Sequence, residues 1–387
     1  MKTELLERVS ACALNRIFGY EPLLAQKLVG IVGGCHAVFT ETPEELRKLL
    51  GPYSKYHGRI DRRILDECAE ELDMLDRQGC SFIPFTHPDY PPLLRECPDA
   101  PIGLYFKGKS SPSEVFGPSK KISIVGTRDI SLYGKEWCER IVLGIAGSGG
   151  ACIVSGLAIG VDITAHMAAL AGGIPTIAVL PTGINEVYPR RHRVAAEKIA
   201  GSPGGALITD FPPGTGPQAF TFLRRNRIIA ALSSCTILIE SRVKGGGMLT
   251  ARLASGYGRD VYCLPGRIDD LASQGCNLLI RENVAQAITN ISLLAVDLGL
   301  NGNTSRVRNA EETLREAYSG QCTEERFKAI LTLYQNIRKN RGAGTEELAR
   351  ITGMPYSRTA ELVSLLESDG FICTDLLQRC TINVKKL

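Results

Sequence analysis

The chain has 387 residues and a net charge of +4, and its length corresponds to two or three domains of ordinary size. Its hydrophobic content of 44% and charged content of 22% are those of a globular protein, which excludes a wholly disordered or fibrous chain. The basic excess lies within residues 121–290, which hold 17 Lys and Arg against 12 Asp and Glu. An anionic partner is therefore expected to bind this middle segment.

The thirteen cysteines form no Cys-x-x-Cys pair and stand singly between apolar neighbours. This pattern predicts reduced, buried thiols in a cytoplasmic protein and favours neither a disulfide framework nor a metal site. The first eight residues, MKTELLER, lack the apolar core of a signal peptide. The longest uncharged run, from Ile163 to Asn185, is interrupted by His166 and by a Gly-Gly-Ile-Pro turn, so no membrane insertion is expected.

Residues 1–78 predict a helical domain made of short helices that are joined by glycine turns. One of these helices is expected to begin after Thr42, because a threonine cap, a proline and two glutamates follow one another there. The pattern is typical of a helix-hairpin-helix or SAM-like bundle, a kind that often contacts nucleic-acid backbones. Residues 1–120 hold 15 basic against 17 acidic residues, however, so a packing or regulatory role fits the segment equally well.

Residues 79–296 predict an α/β domain with a Rossmann-like, doubly wound and mostly parallel sheet, whose core is residues 121–290. Residues 80–110 are typical of two edge strands, and residues 110–120 of a Ser/Pro/Gly linker. Farther along, uninterrupted apolar runs alternate with helical stretches, which indicates a parallel sheet covered on both faces. The predicted strands are Lys121–Val125, Ala151–Val154, Thr176–Leu180, Ala206–Thr209, Thr236–Glu240 and Val261–Leu264.

The carboxyl-terminal part predicts a polar linker over residues 297–321 and a winged-helix domain over residues 322–387. Two helices and two short strands follow one another there with the spacing of a winged helix-turn-helix. A regulator that binds duplex DNA through this domain is one possible function. The wing carries only Arg379 as a base, and the second helix contains Arg358 together with Glu361 and Glu367. This is poor phosphate-binding chemistry, so the domain is expected to mediate contacts or to modulate binding.

The loop after the first strand of the parallel sheet carries Gly126-Thr127-Arg128. In open α/β sheets, ligands bind outside the carboxyl ends of the strands. Gly126 lets a ligand approach the backbone, Thr127 offers a hydroxyl group, and Arg128 offers a planar fork suited to phosphate. The alternative is a turn arginine paired with Asp129, but the position at a strand end favours the phosphate role.

The loop after the second strand begins with Ser155 and Gly156 and leads into a helix that carries Asp162 and His166. The serine and the local amides predict an anion-binding nest. Serine, aspartate and histidine together also raise the possibility of a hydrolase. The Gly-x-Ser-x-Gly elbow is absent, however, and the histidine lies on the helix that immediately follows. Asp162 and His166 are therefore expected to fix the turn by hydrogen bonds.

Three further segments add basic residues or glycines at strand ends: residues 188–193, residues 220–227 and residues 244–250. In the second of these segments, aromatic rings precede a run of arginines, a combination that suits unpaired nucleic acid. In the third, three glycines before a helix form a phosphate nest. The candidate residues in the second and third segments are Phe222, Arg224, Arg225, Asn226, Arg227, Lys244, Gly246 and Thr250.

From about residue 80 to 290 the chain closely resembles the DNA-processing protein A family, also called DprA or Smf. The resemblance rests on the strings IVGTR, VSGLAIGVDITAH, TIAVLPTGINEVYPRRHR, GALITDFPPGT, FTFLRRNRIIAALS, GGGMLTARLA, LPGRIDD and GCNLLIRE, in this order. The helical amino-terminal part and the winged-helix tail fit the three-part layout common in that family. The family usually has serine where Thr127 stands, so the hydroxyl group is kept.

This resemblance implies a cytoplasmic, non-catalytic protein of natural transformation and DNA recombination, without a cofactor. Such a protein binds incoming single-stranded DNA, protects it and loads the recombinase RecA onto it. The resemblance also implies an extended Rossmann fold that binds the strand in a basic pocket and commonly forms a homodimer. The pocket residues it implies are Gly126, Thr127, Arg128, Ser155, Gly156, Arg224, Arg225, Asn226, Arg227, Lys244, Gly246 and Thr250, with Phe222 as a base-stacking ring.

The alternative function is that of a nucleotide-binding Rossmann protein, either a nucleotide sensor or a phosphoribohydrolase-like enzyme. Such hydrolases use a Pro-Gly-Gly-x-Gly-Thr-x-x-Glu string at a similar loop. Here no glutamate follows Thr250, so the carboxylate that cleaves the bond is missing. A sensor remains possible, and it would bind mononucleotides as well as oligomers.

Overall fold

A computed structural model of the chain describes residues 2–117, 119–300, 310–318, 322–340 and 342–383. The helices in these ranges are α1 (Lys2–Phe18), α2 (Pro22–Val32), α3 (Cys35–Val38), α4 (Pro43–Leu50), α5 (Arg62–Arg77), α6 (Pro92–Arg95), α7 (Pro112–Phe116), α8 (Leu132–Ser148), α9 (Val161–Ala171), α10 (Arg193–Gly201), α11 (Ala219–Leu232), α12 (Gly246–Gly256), α13 (Gln274–Arg281), α14 (Ile291–Asp297), α15 (Ala310–Tyr318), α16 (Glu324–Lys339), α17 (Thr345–Thr352) and α18 (Tyr356–Ser368). The strands are β1 (Cys80–Pro84), β2 (Gly103–Lys107), β3 (Lys120–Val125), β4 (Ala151–Ser155), β5 (Thr176–Val179), β6 (Ala206–Thr209), β7 (Cys235–Leu238), β8 (Asp260–Cys263), β9 (Gln286–Ala287), β10 (Ile372–Thr374) and β11 (Cys380–Ile382).

Nine strands form one sheet in the order β1-β2-β6-β5-β4-β3-β7-β8-β9. In this sheet order, the seven strands from β6 through β3 to β9 run parallel to one another. At the other edge, β1 pairs antiparallel with β2, and β2 pairs antiparallel with β6. The chain moves from β3 outward to β6 and then returns to β7 on the other side of β3. The doubly wound, mostly parallel sheet is therefore confirmed, and its order reverses between β3 and β7, where ligands bind in such folds.

Residues of the central strands alternate between two hydrophobic cores, one on each face of the sheet. In β4, Ile153 packs with helix α8 on one face, while Cys152 and Val154 pack with α11 and α12 on the other. A strand buried on both faces favours apolar residues at most positions, which explains the predominantly apolar runs. No helix among the described residues has the length and apolar character needed to cross a membrane. All the cysteines except Cys322 and Cys373 are buried.

The amino-terminal helices share a core with the sheet, which α1 and α5 contact directly. Leu14, Phe18 and Leu72 belong to the same buried cluster as Tyr105 of β2 and Ala178 of β5. The expected helix start after Thr42 is confirmed, because a reciprocal capping box with Glu45 is present. The helical character of residues 1–78 is confirmed as well, whereas the type of bundle and the boundary at residue 78 stay predictions.

Two segments that the sequence predicts as linkers contain helices. Residues 110–120 include α7, whose Val115 and Phe116 are buried. Residues 297–321 include α15, whose Leu314 and Tyr318 lie four residues apart on one face and are buried against the tail. The Tyr318 hydroxyl group donates a hydrogen bond to Asp369 at 2.7 Å. The sequence did not predict either helix, because most of their residues are polar and each helix buries only two apolar side chains among those described. Residues 301–309 and 319–321 lie outside the described residues.

The tail contains α16, α17, α18 and the antiparallel hairpin β10–β11. Its identification as a winged helix stays a prediction. Arg379, the one base expected in the wing, forms an ion pair with Asp375 at 2.6 Å. On the helical side, Arg326 pairs with Glu361 at 2.6 Å. These pairs reduce the positive charge that the described part of the tail presents to a phosphate backbone.

Candidate nucleic-acid interface

Three loops meet at the carboxyl edge of the sheet, after β3, β4 and β7. The Thr127 amide donates to the Glu240 carbonyl at 2.7 Å, and the Val161 amide donates to the Thr127 carbonyl at 3.1 Å. A side chain at Gly126 would lie 2.6 Å from Val161, and one at Gly160, where φ is +82°, would meet the Thr127 carbonyl. The loops therefore contact one another through their backbones, which only glycine allows at these two positions.

Glu240 lies fully buried beneath the loop after β3 and fixes it. Its carboxylate accepts hydrogen bonds from the Ser131 amide at 2.9 Å and from the Ser131 hydroxyl group. The same hydroxyl group caps α8 by accepting from the Gly134 amide at 3.0 Å. The loop that carries Arg128 is thus anchored from below, while the Arg128 side chain is exposed. Sequence reasoning missed Glu240, although an acid that ends a run of apolar residues is an available signal.

The start of α12 lies against the same loop. A side chain at Gly247 would approach the Gly126 Cα to 3.1 Å and Leu238 to 2.7 Å, so the glycine-rich turn brings the helix onto the sheet edge. Gly246 and Lys244 are exposed there. Thr250 is buried, and its hydroxyl group donates to the Gly246 carbonyl at 3.5 Å. The amide groups at the start of α12, rather than Thr250, therefore face the edge.

An exposed arginine stacks on an aromatic pair at this edge. The Arg128 guanidinium lies 4.7 Å from the centroid of the Phe222 ring. The Phe222 ring in turn meets the Tyr188 ring edge to face, with centroids 5.5 Å apart. These residues come from the loop after β3, the first turn of α11 and the segment after β5. A cation that lies beside aromatic rings can bind the phosphates and bases of an unpaired strand.

The arginine run on α11 differs from the expectation that its side chains face the ligand. Arg224 and Arg227 both pair with the carboxylate of Asp210, at 2.7 and 2.5 Å, and that carboxylate is fully buried. Arg227 also donates to the Asp99 carbonyl. Because Asp210 directly follows β6, the two arginines fasten α11 to the sheet.

Arg225 is 3% exposed and donates hydrogen bonds to the carbonyls of Gly156, at 2.5 Å, and of Val179. Burial lowers the pKa of its guanidinium to about 10, against the influence of nearby Asp162. Burial also raises the pKa of Asp162, which accepts from the Ala158 amide at 3.3 Å. Asp162 thus fixes the turn after β4 as expected. Arg225 holds this turn and the end of β5 together.

The serine and histidine of the same region do not form a hydrolytic site. The Ser155 hydroxyl group is buried and donates to the Ile124 carbonyl at 2.6 Å. His166 shares a hydrogen bond with Thr176 at 2.7 Å, so it joins α9 to β5 rather than fixing the turn. Burial lowers the pKa of His166 to about 3, and the positive charge of Arg225 adds to this effect. The pair therefore lacks the hydrogen bond by which a histidine activates a serine.

Replacing His166 with glutamine is expected to reduce the acid sensitivity of the protein. Between about pH 6.5 and pH 3, unfolded His166 binds a proton and folded His166 does not, so the wild type loses stability as the pH falls. The loss is about 1.6 kcal/mol from pH 6.5 to pH 5, because the slope rises from about 0.7 kcal/mol per unit at pH 6.5, where half of the unfolded chains carry the proton, toward about 1.4. Urea unfolding at both pH values measures it. A stability difference between wild type and variant that is equal at both pH values would contradict the prediction.

The structure thus separates the predicted site residues into three groups by exposure. The exposed ones are Arg128, Lys244 and Gly246. The half-buried ones are Gly126, Thr127, Phe222, Arg224 and Asn226. The buried ones are Ser155, Gly156, Arg225, Arg227 and Thr250.

Other cations at the edge were not chosen from the sequence as site residues. Arg190, Arg191 and Arg242 are exposed, and none of them forms an ion pair with another described residue; the same holds for Arg128 and Lys244. Arg193, by contrast, pairs with Glu197 at 3.0 Å. The arginine cluster after β5 was visible in the sequence, but its partners were not. Five unpaired cations therefore remain in the loops after β3, β5 and β7.

Comparison with known proteins gives consistent matches. The family model for DNA recombination-mediator protein A matches residues 81–299. Protein Smf of Synechocystis is 38% identical over 293 residues, covering 74% of this chain and 71% of that protein. The DNA processing protein DprA of Streptococcus pneumoniae is 36% identical over 251 residues, covering 64% of this chain and 86% of that protein.

Two solved structures have a similar fold. DNA processing protein A of Streptococcus pneumoniae superposes with a TM-score of 0.63 at 28% identity, covering 73% of this chain and 95% of that one. DNA processing protein A of Helicobacter pylori, described for its single-stranded DNA binding mode, gives 0.51 at 31% identity and covers 58% and 97%. Because the family model matches more than half of the chain, these matches show that the chain belongs to the DprA/Smf family of DNA-processing proteins.

Proposed function

We propose that the protein binds single-stranded DNA at the carboxyl edge of its sheet. The observation that carries this proposal is the exposed Arg128 guanidinium stacked on the half-buried Phe222 ring beside Tyr188. Rings that bases can stack on and unpaired cations that contact phosphates occur side by side there, a combination that suits an unpaired strand. The similarity to the Helicobacter pylori protein supports the same ligand class.

Within this proposal the predicted residues divide into contacting and positioning groups. Gly126, Thr127, Arg128, Phe222, Lys244 and Gly246 contact the strand. The buried arginines 225 and 227, together with half-buried Arg224, hold the loops and α11 in place through Asp210 and the strand-end carbonyls. Ser155, Gly156 and Thr250 shape the turns behind the surface, and Asn226 accepts from Arg225 at 3.2 Å.

Family membership supports a wider role for this binding. The protein protects incoming single-stranded DNA in the cytoplasm during natural transformation and recombination, and it loads RecA onto the strand. It acts as a homodimer and without catalysis. The absence of a glutamate after Thr250 and of a serine–histidine hydrogen bond at Ser155 supports a binding role rather than hydrolysis.

A fluorescence anisotropy titration with labelled oligo-dT, a duplex of equal length and a labelled mononucleotide tests the proposal. Oligo-dT is expected to bind tightly and the other two weakly. Because single strands contribute about −0.7 per neutralised phosphate to the slope of log K against log salt, the five unpaired cations predict a slope of roughly −3.5. If the mononucleotide binds with the same affinity as oligo-dT, the protein is a nucleotide sensor. If the duplex binds more tightly than oligo-dT, the DNA does not bind at this edge.

A further inference from the structure

A second pair of aromatic rings lies where the amino-terminal helices meet the start of α11. Tyr20, in the turn between α1 and α2, is 68% exposed, and its ring centroid lies 5.9 Å from that of Phe220, which is 42% exposed. Phe220 stands two residues before Phe222 in the first turn of α11. Exposed aromatic rings are few in the described part of the chain: Tyr20, Tyr53, Tyr188, Phe220 and Tyr356. Three of these five, Tyr20, Tyr188 and Phe220, lie in or against the first turn of α11.

Tyr20 is held in this position by the backbone around it. Just before it, a side chain at Gly19 would lie 2.8 Å from the Asn15 carbonyl and 3.2 Å from the Arg224 guanidinium. The Asn15 side chain donates to the Asp210 carbonyl at 2.8 Å, which ties the end of α1 to the end of β6. The Arg224 guanidinium lies 4.7 Å from the Tyr20 ring centroid. The ring is thus fixed against the sheet domain while most of it stays in solvent.

The charges around Tyr20 are neutralised within the protein. Arg224 pairs with Asp210, and the neighbouring Glu21 pairs with Lys55. The surface around Arg128 and Phe222, by contrast, carries cations without an ion-pair partner among the described residues. The surface around Tyr20 therefore offers ring area without free charge. Bases stack on such surfaces whatever their sequence, because every base has a π face.

We propose that Tyr20 and Phe220 form a second stacking subsite for unpaired bases, reached by the same strand that binds at Arg128 and Phe222. This inference rests on the proposed function and extends its binding surface from the sheet to the helical domain. Its consequence is that binding depends on the length of the oligomer. A short oligomer occupies only the charged surface around Arg128 and Phe222, and a longer one also reaches Tyr20.

Anisotropy titrations of the full chain with oligo-dT of about 4 and about 16 nucleotides, the span of known single-strand site sizes, test the length effect. Tyr20→Ala is expected to weaken binding of the longer oligomer by about 5-fold to 20-fold, the lower part of the range for one base stack. The shorter oligomer should bind unchanged. Tyr20→Phe, which keeps the ring, should bind both oligomers with wild-type affinity.

The salt dependence provides a readout that a merely structural role of Tyr20 would not reproduce. Tyr20→Ala removes no charge, so the slope of log K against log salt should stay at the wild-type value. Tyr356→Ala, which removes a comparably exposed tyrosine from α18, serves as the matched control and should leave both affinities unchanged.

Two outcomes would overturn the subsite. The first is that Tyr20→Ala binds the longer oligomer with wild-type affinity. The second is that Tyr20→Ala weakens both oligomers equally and Tyr20→Phe weakens them as well. Arg128→Ala separates this failure from that of the proposed function. If Arg128→Ala weakens both oligomers and Tyr20→Ala weakens neither, only the second subsite is rejected. If Arg128→Ala weakens neither, the carboxyl edge itself is rejected as the binding site.

Discussion

Replacing Asp210 with alanine is expected to lower the free energy of unfolding by about 3–5 kcal/mol, the usual cost of removing one partner from a buried ion pair. The Asp210 carboxylate is fully buried and pairs with both Arg224 and Arg227. Without it, Arg227 keeps only the Asp99 carbonyl as a hydrogen-bond partner. Urea unfolding followed by circular dichroism measures the loss. Asp210→Asn keeps an oxygen acceptor and should lose less.

Asp269→Ala is the matched control for Asp210→Ala. Asp269 also pairs with an arginine, Arg267, but both side chains are exposed, at 73% and 83%. Exposed pairs contribute little to stability, so the urea midpoint of this variant should equal that of the wild type. An Asp210→Ala protein that unfolds at the wild-type midpoint would show that the two arginines do not depend on this carboxylate.

Replacing Arg128 with alanine is expected to weaken single-strand binding by about 1–3 kcal/mol through the loss of a charged phosphate contact. Replacing Phe222 with alanine should cost about 1–3 kcal/mol through the loss of a base stack. Because the guanidinium lies 4.7 Å from the ring centroid, each group also orients the other. The double variant should therefore lose less than the sum of the two single losses. Anisotropy titrations of the four proteins measure this coupling.

The salt dependence separates the two contacts. Arg128→Ala should make the slope of log K against log salt less steep by about 0.7, whereas Phe222→Ala should leave it unchanged. Arg193→Ala is the control, because this arginine stands in the cluster after β5 but pairs with Glu197. It should bind oligo-dT nearly as well as the wild type. If the Arg128→Ala, Phe222→Ala double variant binds oligo-dT with wild-type affinity, this edge is not the binding site.

The sheet could be predicted from the sequence because burial on both faces leaves a pattern in the residues themselves. Each of the six strands predicted for its parallel part lies within two residues of the observed one. The short helices α7 and α15 could not be predicted in the same way. Each buries only two apolar residues, and the partners of those residues are distant in the sequence: Tyr318 contacts Phe371, for example. Their helical state depends on tertiary contacts that composition does not reveal.

The sequence predicts a candidate site at this edge, but it does not predict which of the site's side chains are buried. The strand-end position of Arg128 follows from the order of strands and loops. The burial of Arg225 does not, because its acceptors at Gly156 and Val179 are 69 and 46 residues away in the chain. The contact between Phe222 and Tyr188 likewise joins separate segments. A run of arginines shows how much charge is present, and only the fold decides which of it is neutralised.

The core shared by the amino-terminal helices and the sheet has a consequence for the order of folding during synthesis. The cluster that buries Leu14 and Leu72 also contains Tyr105, Ala178 and Leu207. The first part of the chain to leave the ribosome therefore cannot complete its core until β6 has been translated. At about 5–20 residues per second, the ribosome needs roughly 7–26 seconds to complete β6 after α5 is made. Until then, the apolar side chains of α1 and α5 in this cluster lack part of their partners from the sheet.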